Sequence, residues 1–237
     1  MKAVILAGGM GTRLRPYTTV FPKPLVPIGE QPILEIILRQ LSHCDIRDIY
    51  LSVGYLSELI KAYFVQTRDS LADTQIEYVH ESKPTGTAGA LRLIDGLDDT
   101  FLMMNGDVLT TLDYQALVEF HKQNGAALTI STHRKPVKVD LGVLTTDDNA
   151  RVTEYIEKPT LDYRVSMGVY VLEPRAIDFV PEDTFFDFPD LVKSLLAADE
   201  RVCAYPSEDL WLDIGRPEDY ERAQEVFNQH KREFGIE

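Results

Sequence analysis

The sequence contains little cysteine, few positive charges and no long apolar run. Its 237 residues include two cysteines, and 24 lysines and arginines against 38 aspartates and glutamates give a net charge of −14. No apolar run approaches the ~20 residues that span a membrane, and the early segment AVILA is followed at once by two glycines instead of extending into a signal sequence. The acidic charge argues against a general nucleic-acid binder, which needs a basic surface. We therefore expect a cytoplasmic protein without a membrane or nucleic-acid partner.

Cysteine and histidine chemistry is not indicated either. Cys44 and Cys203 stand in unrelated contexts, without the spacing of metal ligands or of a disulfide framework. We expect both to be small buried residues. The five histidines are scattered along the chain and are expected to be structural or on the surface.

Short apolar segments alternate with helical patterns in the first half of the chain. Runs of apolar and β-branched residues predict buried strands at 2–7, 48–53, 100–105 and 126–132. Helical spacing predicts helices over Leu56, Leu59, Ile60, Tyr63 and Phe64, after Pro32, and from Asp113 to Gly125. This alternation predicts right-handed crossovers, a mainly parallel sheet and ligands at the carboxyl ends of its strands.

From about residue 139 the pattern changes to extended segments with few helices. LGVLTT, VTEYIE and SMGVYVLE predict strands, and helices are expected over 187–197 and from Pro217. No linker or internal repeat interrupts the sequence. We therefore expect one domain over residues 1–237, with a second lobe on the same sheet.

The most informative segment is GGMGTRLRPYTTVFPKPLVP at residues 8–27. It follows the first predicted strand, where a glycine-rich turn can point backbone N–H groups at a phosphate chain. It lacks the third glycine of the dinucleotide motif and the Gly-Lys-Ser/Thr of a P-loop. Instead Arg13, Arg15 and Lys23 follow within eleven residues, among four prolines. A rigid basic loop beside glycines suits a triphosphate.

This segment resembles the signature G-x-G-T-R-L-x-P-x-T-x-x-x-P-K-P-L-x-P of the sugar-1-phosphate nucleotidyltransferases, or nucleotide-sugar pyrophosphorylases. The similarity continues through PTGTAGAL at 84–91, NGD at 105–107, LGV at 141–143, EKP at 157–159, SMGVY at 166–170 and WLDIG at 211–215. The sequences of these segments most resemble those of mannose-1-phosphate guanylyltransferases. The resemblance implies a three-layer α/β fold with a mainly parallel, Rossmann-like sheet, also called GT-A-like. It further implies a nucleotide-binding lobe at 1–135 and a sugar-binding lobe at 136–237.

Members of this family join a nucleoside triphosphate to a sugar 1-phosphate and release pyrophosphate. The attacking phosphate oxygen is already anionic near pH 7, because the second pKa of a phosphate monoester is about 6. No general base is required, and catalysis should depend on positioning and electrostatics. The resemblance implies that Arg13 and Lys23 are the catalytic cations and that Asp107 and Asp213 hold Mg²⁺.

The resemblance also assigns the two substrate sites. The residues that correspond to nucleotide-binding positions are Leu6, Gly8, Gly9, Gly11, Thr12, Glu81, Gly86 and Thr87. Those that correspond to sugar-phosphate positions are Gly142, Glu157, Lys158 and Gly168. Adjacent Glu and Lys side chains on one strand would point to opposite faces, although Pro159 suggests that the strand ends there. Asp187 and Asp190 look like the entry to a helix and are interpreted as structural.

The prediction of the nucleobase, and with it of the sugar, depends on one residue. Glu81 stands where thymidylyl and uridylyl members usually carry glutamine and guanylyl members often carry glutamate. A carboxylate can accept two hydrogen bonds from guanine, so GTP with mannose 1-phosphate or a related sugar is expected. The alternative is an enzyme that uses UTP or dTTP with glucose 1-phosphate. If Glu81 faced solvent, its carboxylate would give no reason to prefer guanine.

Two other classes of protein remain open. A non-catalytic relative could bind nucleotide sugars without making them, although such paralogues tend to lose the basic loop or the metal aspartates. A glycosyltransferase would usually carry Asp-x-Asp where this chain has Asn105-Gly106-Asp107, and a molybdopterin-type transferase would lack EKP and SMGVY. The sequence after WLDIG shows no hexapeptide repeats, so no C-terminal β-helix domain is expected. Homo-oligomers occur among short relatives, and the sequence shows no assembly motif.

Overall fold

Seven strands form one central sheet in a computed structural model of the chain, which describes residues 1–67, 71, 73–81 and 83–235. The strands of this sheet are β1 Lys2–Leu6, β4 Asp48–Val53, β5 Gln75–His80, β6 Phe101–Asn105, β8 Leu128–Lys138, β11 Thr160–Leu172 and β12 Val202–Ser207. Three small two-stranded pairs accompany it, formed by β2 Pro27–Ile28 with β3 Gln31–Pro32, β7 Val108–Thr110 with β13 Trp211–Asp213, and β9 Val143–Thr146 with β10 Val152–Ile156. The described α-helices are α1 Ile33–His43, α2 Ser57–Gln66, α3 Tyr114–Asn124, α4 Phe188–Ala197 and α5 Pro217–Gln229.

The sheet is mainly parallel, as predicted. Its order is β12-β8-β11-β6-β1-β4-β5, and only β11 runs antiparallel to its two neighbours. The neighbouring strands β1, β4 and β6 correspond to the predicted strands at 2–7, 48–53 and 100–105. The predicted strand at 126–132 is the first part of the longer β8, whose last residues are exposed. The second half of the chain therefore extends the same sheet.

Helices cover both faces of the sheet and make three layers. Ala3 and Ile5 of β1 face a core that also contains side chains of α1, α3 and α5, whereas Val4 faces a second core with Leu191 and Leu195 of α4. This alternation is the period of a strand that is buried on both sides. The three-layer α/β fold that the resemblance implied is confirmed.

The helix ends follow their sequence signals. The Asp113 carboxylate accepts hydrogen bonds from the backbone N–H groups of residues 115 and 116 and so caps α3, which ends at Gly125 with φ 58°. Pro32 precedes α1 and Pro217 begins α5, as predicted. The stripe predicted on α2 is narrower than expected, because Leu59 is 42% exposed and Leu56 lies before the helix.

The expectation that both cysteines are buried is wrong. Cys44 and Cys203 are free and partly exposed. Partial burial raises the pKa of the Cys44 thiol, as do the nearby charges of Asp113 and Asp45. No helix in the described part of the chain has the length and apolar character that would let it cross a bilayer.

A buried histidine links α3 to the sheet. The His121 side chain is fully buried, with Nδ1 2.8 Å from Thr129 Oγ1 and Nε2 3.1 Å from Glu173 Oε1, which also accepts a hydrogen bond from Thr100. Burial lowers the pKa of His121, although the carboxylate of Glu173 acts in the opposite direction. The interpretation of this histidine as structural agrees with these contacts.

Lowering the pH through the range in which a histidine side chain ordinarily takes up a proton should destabilise the fold. The unfolded chain takes up a proton at His121 near pH 6.5, whereas the folded protein resists it, so the free energy of unfolding falls as the pH drops below 6.5. Denaturant titrations at about pH 7.5 and about pH 5.5 measure this fall, and His121→Asn should make it smaller. The same fall in the variant would show that another group causes it. Glu173, whose pKa is lowered, adds its own loss only in more acidic solution.

Candidate active site

A cleft of about 520 Å³ opens at the carboxyl ends of the parallel strands β1, β4 and β6. Its walls come from the segments that follow these strands and β5, from the basic loop, and from the segment before α4. This is the edge at which parallel sheets present ligands. Eight of the predicted site residues line the cleft: Leu6, Gly8, Gly9, Lys23, Glu81, Gly86, Thr87 and Asp107.

The floor of the cleft is closely packed backbone. The N–H group of Gly106 donates to the carbonyl oxygen of Leu6 at 2.8 Å, and a Cβ on Gly106 would lie 2.8 Å from that oxygen. A Cβ on Gly8 would lie 2.9 Å from Glu81 Oε1, and one on Gly54 3.1 Å from the Gly8 carbonyl oxygen. A side chain at Gly106 would collide with backbone, and one at Gly8 or Gly54 would crowd its neighbours, so glycine lets these backbone segments approach one another closely.

The basic loop consists of short 3₁₀ turns at 12–14, 17–19 and 23–25. The hydroxyl of Thr18 donates to the carbonyl oxygen of Gly11 at 2.7 Å, and the fully buried Leu14 anchors the first turn. Gly11 has φ 59°, and Thr12 begins the turn that follows it. Arg13 makes no hydrogen bond or ion pair with any residue that the structure describes. Its guanidinium is available to an anion.

Lys23 and Asp107 form an ion pair at one end of the cleft, where the Lys23 side chain is only 11% exposed. Asp213 lies beside them, because β13 pairs with β7 and places Asp213 opposite Val108. The N–H group of Ile214 donates to the Asp107 carbonyl oxygen at 3.3 Å. Two aspartates that are more than one hundred positions apart in the sequence thus share one end of the site.

The carboxyl of Asp213 lies in an unfavourable field. One side of the carboxyl is open to solvent, but partial burial removes water from the rest and raises its pKa. The negative charge of Asp107 raises the pKa further. Lys23 and Arg13 act in the opposite direction. A Cβ on Gly215 would lie 3.9 Å from Asp213 Oδ2 and 4.0 Å from an Arg13 nitrogen, so both side chains approach the same point.

These two carboxylates suit a hard divalent cation. Mg²⁺ is usually held by one or two protein carboxylates together with phosphate oxygens and water. The residues described here contain no group of three or more histidine, cysteine, aspartate or glutamate side chains that could hold a metal alone. A cation placed between Asp107 and Asp213 would relieve their repulsion and leave positions for phosphate oxygens.

Glu81 faces the protein interior as well as the cleft. Oε1 accepts a hydrogen bond from Ser52 Oγ at 2.7 Å, and Oε2 accepts from the N–H and hydroxyl groups of Thr85 at 3.1 and 2.8 Å. The Glu81 carboxylate is therefore bound by protein groups and is not simply directed at solvent. Its bonds to Thr85 hold the 83–89 segment in place. Gly86 in that segment has φ 83°, and a Cβ there would lie 2.5 Å from the Phe186 carbonyl oxygen.

The segment before α4 contributes residues that the sequence analysis did not place in the site. Asp187 was interpreted as a helix entry and does stand at the N-cap of α4, but its carboxylate accepts from the N–H of Thr87 at 3.0 Å and from the Thr87 hydroxyl at 3.2 Å. Phe185 also lines the cleft. Asp190 instead pairs with Lys193 along the helix, in agreement with a structural role. No local motif marks Asp187, because its partner lies 100 positions away.

The predicted sugar-phosphate residues are divided between two places. Gly168 has φ 78°, and a Cβ there would lie 2.7 Å from Asn105 Nδ2, beside the cleft floor. Gly142, Glu157 and Lys158 lie on the β9–β10 hairpin and do not line the cleft. Strand β10 ends at Ile156, so the opposite-face argument does not apply to residues 157 and 158.

The hairpin residues contact one another. The Tyr155 hydroxyl donates to Glu157 Oε2 at 2.6 Å, and any Cβ on Gly142 would collide with that hydroxyl. Lys158 Nζ lies 3.9 Å from Glu157 Oε1. The three positions lie together at the base of the hairpin, where Glu157 and Lys158 are exposed and Gly142 is partly buried.

Comparison with known proteins gives one consistent family. A family model described as nucleotidyl transferase matches residues 2–230. The UTP–glucose-1-phosphate uridylyltransferase of Synechocystis sp. is 36% identical over 245 aligned residues, which cover 94% of this chain and 62% of that protein. The mannose-1-phosphate guanylyltransferase of Mycobacterium tuberculosis is 35% identical over 227 residues, with 93% and 62% coverage. The chain thus spans less than two thirds of the length of these curated relatives.

A solved structure of similar length also matches. HddC from Yersinia pseudotuberculosis superposes with a TM-score of 0.74 at 30% identity, covering 95% of this chain and 99% of the HddC chain. A second structure of HddC, in complex with GMP-PN, gives a TM-score of 0.71 at 29% identity with the same coverage.

Removing the Asp187 carboxylate should loosen the wall of the cleft. Asp187→Ala leaves the N–H and hydroxyl groups of Thr87 without their acceptor, so we expect faster hydrogen exchange across residues 83–89 and a loss of about 1 kcal/mol in unfolding free energy. Asp190→Ala, which removes only an exposed pair with Lys193, is the control. Equal exchange in the two variants would contradict the role given to Asp187.

Proposed function

Because the chain belongs to the nucleotidyl transferase family, we propose that it joins a nucleoside triphosphate to a sugar 1-phosphate and releases pyrophosphate. The observation that carries this proposal is the meeting of Lys23, Asp107 and Asp213 at one end of a cleft floored by glycine backbone. Polyphosphate needs close backbone approach and local positive charge, and a chain of net charge −14 provides both at this place.

The proposed reaction is an in-line displacement at phosphorus. An oxygen of the sugar phosphate attacks the α-phosphorus of the triphosphate, and the bond from that phosphorus to the bridging oxygen of the β-phosphate breaks. The bonding electrons leave with pyrophosphate. No proton has to be removed from the attacking oxygen, because it is anionic at neutral pH. The reaction therefore needs positioned charge and no base.

Each cation has a separate task in this scheme. Arg13 extends from the first turn of the loop and would contact the phosphates that leave, since its planar fork matches two phosphate oxygens. Lys23 lies deeper and would contact the α-phosphate and the incoming phosphate. To make these contacts, the Lys23 ammonium group would leave its ion pair with Asp107 and bind phosphate oxygens instead.

Members of this family generally use a divalent metal ion, and we propose Mg²⁺ here. Asp107 and Asp213 would hold it. A bound ion of this kind neutralises phosphate charge and polarises the α-phosphate. The raised pKa of Asp213 fits this assignment, because two neighbouring carboxylates are kept together at an electrostatic cost.

For the substrates we propose GTP and mannose 1-phosphate or a related sugar. Relatives named mannose-1-phosphate guanylyltransferases and the HddC complex with GMP-PN support this choice, whereas the Synechocystis uridylyltransferase supports the alternative of UTP or dTTP with glucose 1-phosphate. Glu81 would read guanine only by giving up part of its bonding to Ser52 and Thr85. The base assignment therefore rests mainly on the relatives.

A non-catalytic nucleotide-sugar binder is the alternative of another class. The presence of Arg13, Lys23, Asp107 and Asp213 in one site counts against it. Cytoplasmic location, assembly into homo-oligomers and the lobe boundary near residue 135 stay predictions.

Replacing either cation should reduce turnover strongly. We expect Arg13→Ala and Lys23→Ala to lower kcat about 100 to 1,000-fold. This is the usual effect of removing one preorganised hydrogen-bond donor that stabilises charge in the transition state. Pyrophosphate release measures this change. Arg47→Ala and Lys61→Ala, which remove cations paired on the surface, are the controls and should keep wild-type activity. Similar losses in all four variants would contradict the assignment.

The substrates can be identified by measuring pyrophosphate release over a grid. Five nucleotides (GTP, UTP, dTTP, CTP and ATP) are tested against mannose, glucose and N-acetylglucosamine 1-phosphates, with and without Mg²⁺. We expect one Mg²⁺-dependent pair, GTP with mannose 1-phosphate, and Glu81→Gln should lower kcat/KM for GTP more than for UTP. Equal turnover of GTP, UTP and dTTP would contradict the base assignment. No turnover with any pair, together with nucleotide-sugar binding, would favour the non-catalytic alternative.

A further inference from the structure

Two segments that are distant in the sequence form one wall of the cleft, and together they fix the backbone on both sides of Phe185. The Lys83 ammonium group donates to the carbonyl oxygen of Asp183 at 3.1 Å. The N–H group of Phe186 donates to the carbonyl oxygen of Thr85 at 2.8 Å. The place of Phe185 in the wall is therefore set by the bonds of its neighbours.

The Phe185 side chain is exposed, unlike the two phenylalanines that follow it. Phe186 packs partly against the second core, and the ring of the buried Phe188 stacks on Tyr170 with 3.7 Å between the ring centroids. Phe185 lines the cleft instead and is 60% exposed. Within the residues that the structure describes, no aromatic ring stacks on it. A large apolar ring on a fixed backbone is thus available to a ligand.

Other exposed apolar side chains line the same cleft. Met10, which follows β1, is 55% exposed, and Tyr55, which follows β4, is 37% exposed. The ion pair of Lys23 with Asp107 lies at one end. A nucleoside triphosphate is divided in the same way, because its base has apolar faces and its phosphates carry the charge. The apolar lining therefore suits a base, and the charged end suits the phosphates.

The wall that carries Phe185 also carries residues that we assign to the nucleotide. Glu81 accepts hydrogen bonds from Thr85, and a Cβ on Gly86 would collide with the backbone of Phe186. We propose that Phe185 packs its ring against the nucleobase and thereby sets the affinity for the nucleotide. This inference rests on the proposed function, because it takes a nucleoside triphosphate as the ligand.

A ring contact and an edge contact have different effects on a nucleotide. Every base has a π-face, so packing against an aromatic side chain tolerates any base, whereas hydrogen bonds to the base edge distinguish one base from another. Phe185 should therefore strengthen the binding of GTP and UTP alike. The choice between these nucleotides is left to groups such as Glu81.

Equilibrium binding of GTP and UTP tests the proposal, with Mg²⁺ present and sugar phosphate omitted so that no turnover occurs. Phe185→Ala should raise the Kd of both nucleotides about 5-fold to 150-fold, the range expected when one base–aromatic contact is removed. Phe185→Tyr keeps the aromatic face and should bind as the wild type does. Leu196→Ala changes an apolar residue of α4 that is 58% exposed outside the cleft, and it should leave both Kd values unchanged.

Two further measurements separate a contact with the base from a structural role in the wall. Inorganic tripolyphosphate has no base, so Phe185→Ala should bind it as tightly as the wild type does. Hydrogen exchange across residues 83–89 should also be unchanged in Phe185→Ala, in contrast to the faster exchange expected for Asp187→Ala.

Four results would overturn the proposal: an unchanged Kd for GTP and UTP in Phe185→Ala, an equal loss of affinity for tripolyphosphate, faster exchange across residues 83–89 in that variant, or binding by Phe185→Tyr that is as weak as that of Phe185→Ala. The proposed function fails in a different way. A wild-type chain that binds nucleotide but releases no pyrophosphate contradicts the reaction and not the contact, whereas normal turnover with an unchanged Kd in Phe185→Ala contradicts only the contact.

Discussion

The contact between the Gly106 N–H group and the Leu6 carbonyl oxygen fixes the turn from which the two aspartates of the site are positioned. It continues the pairing of β1 with β6 one residue past the end of β6, and it requires a residue without a side chain. The chain then turns through Asp107 into β7, which pairs with β13 and brings Asp213 alongside. Backbone hydrogen bonding therefore brings the two aspartates together.

Electrostatics shows how an acidic protein can offer a polyanion a favourable site. The excess of carboxylates is spread over the molecule, whereas Arg13 and Lys23 are concentrated where the sheet ends. At that place Lys23 and Arg13 lower the pKa of Asp213, while burial and Asp107 raise it. The site is thus a balance of opposite charges in which an added cation and an added polyanion compensate each other. Neither alone would restore neutrality, which favours binding of both together.

The sequence predicts the centre of this fold better than its edges. Strands β1, β4 and β6 are mostly apolar because both their faces are largely buried, and a run of apolar residues is easily recognised. Strands β5 and β12 lie at the edges, alternate between partly buried and exposed residues, and were missed. In the site, the loop from Gly8 to Pro27 is marked by local residues. Asp187 is not, because its function arises only from its contact with Thr87.

That contact has a consequence for how the protein is made. The wall of the cleft at Thr85–Gly89 is held by backbone and side-chain bonds to residues 186–188, so it lacks these partners until those residues have been synthesised. A growing chain folds from its amino-terminal end. On the ribosome, the first part of the sheet can pair while this wall stays open. The complete cleft exists only after about four fifths of the chain has emerged, which couples its formation to late translation.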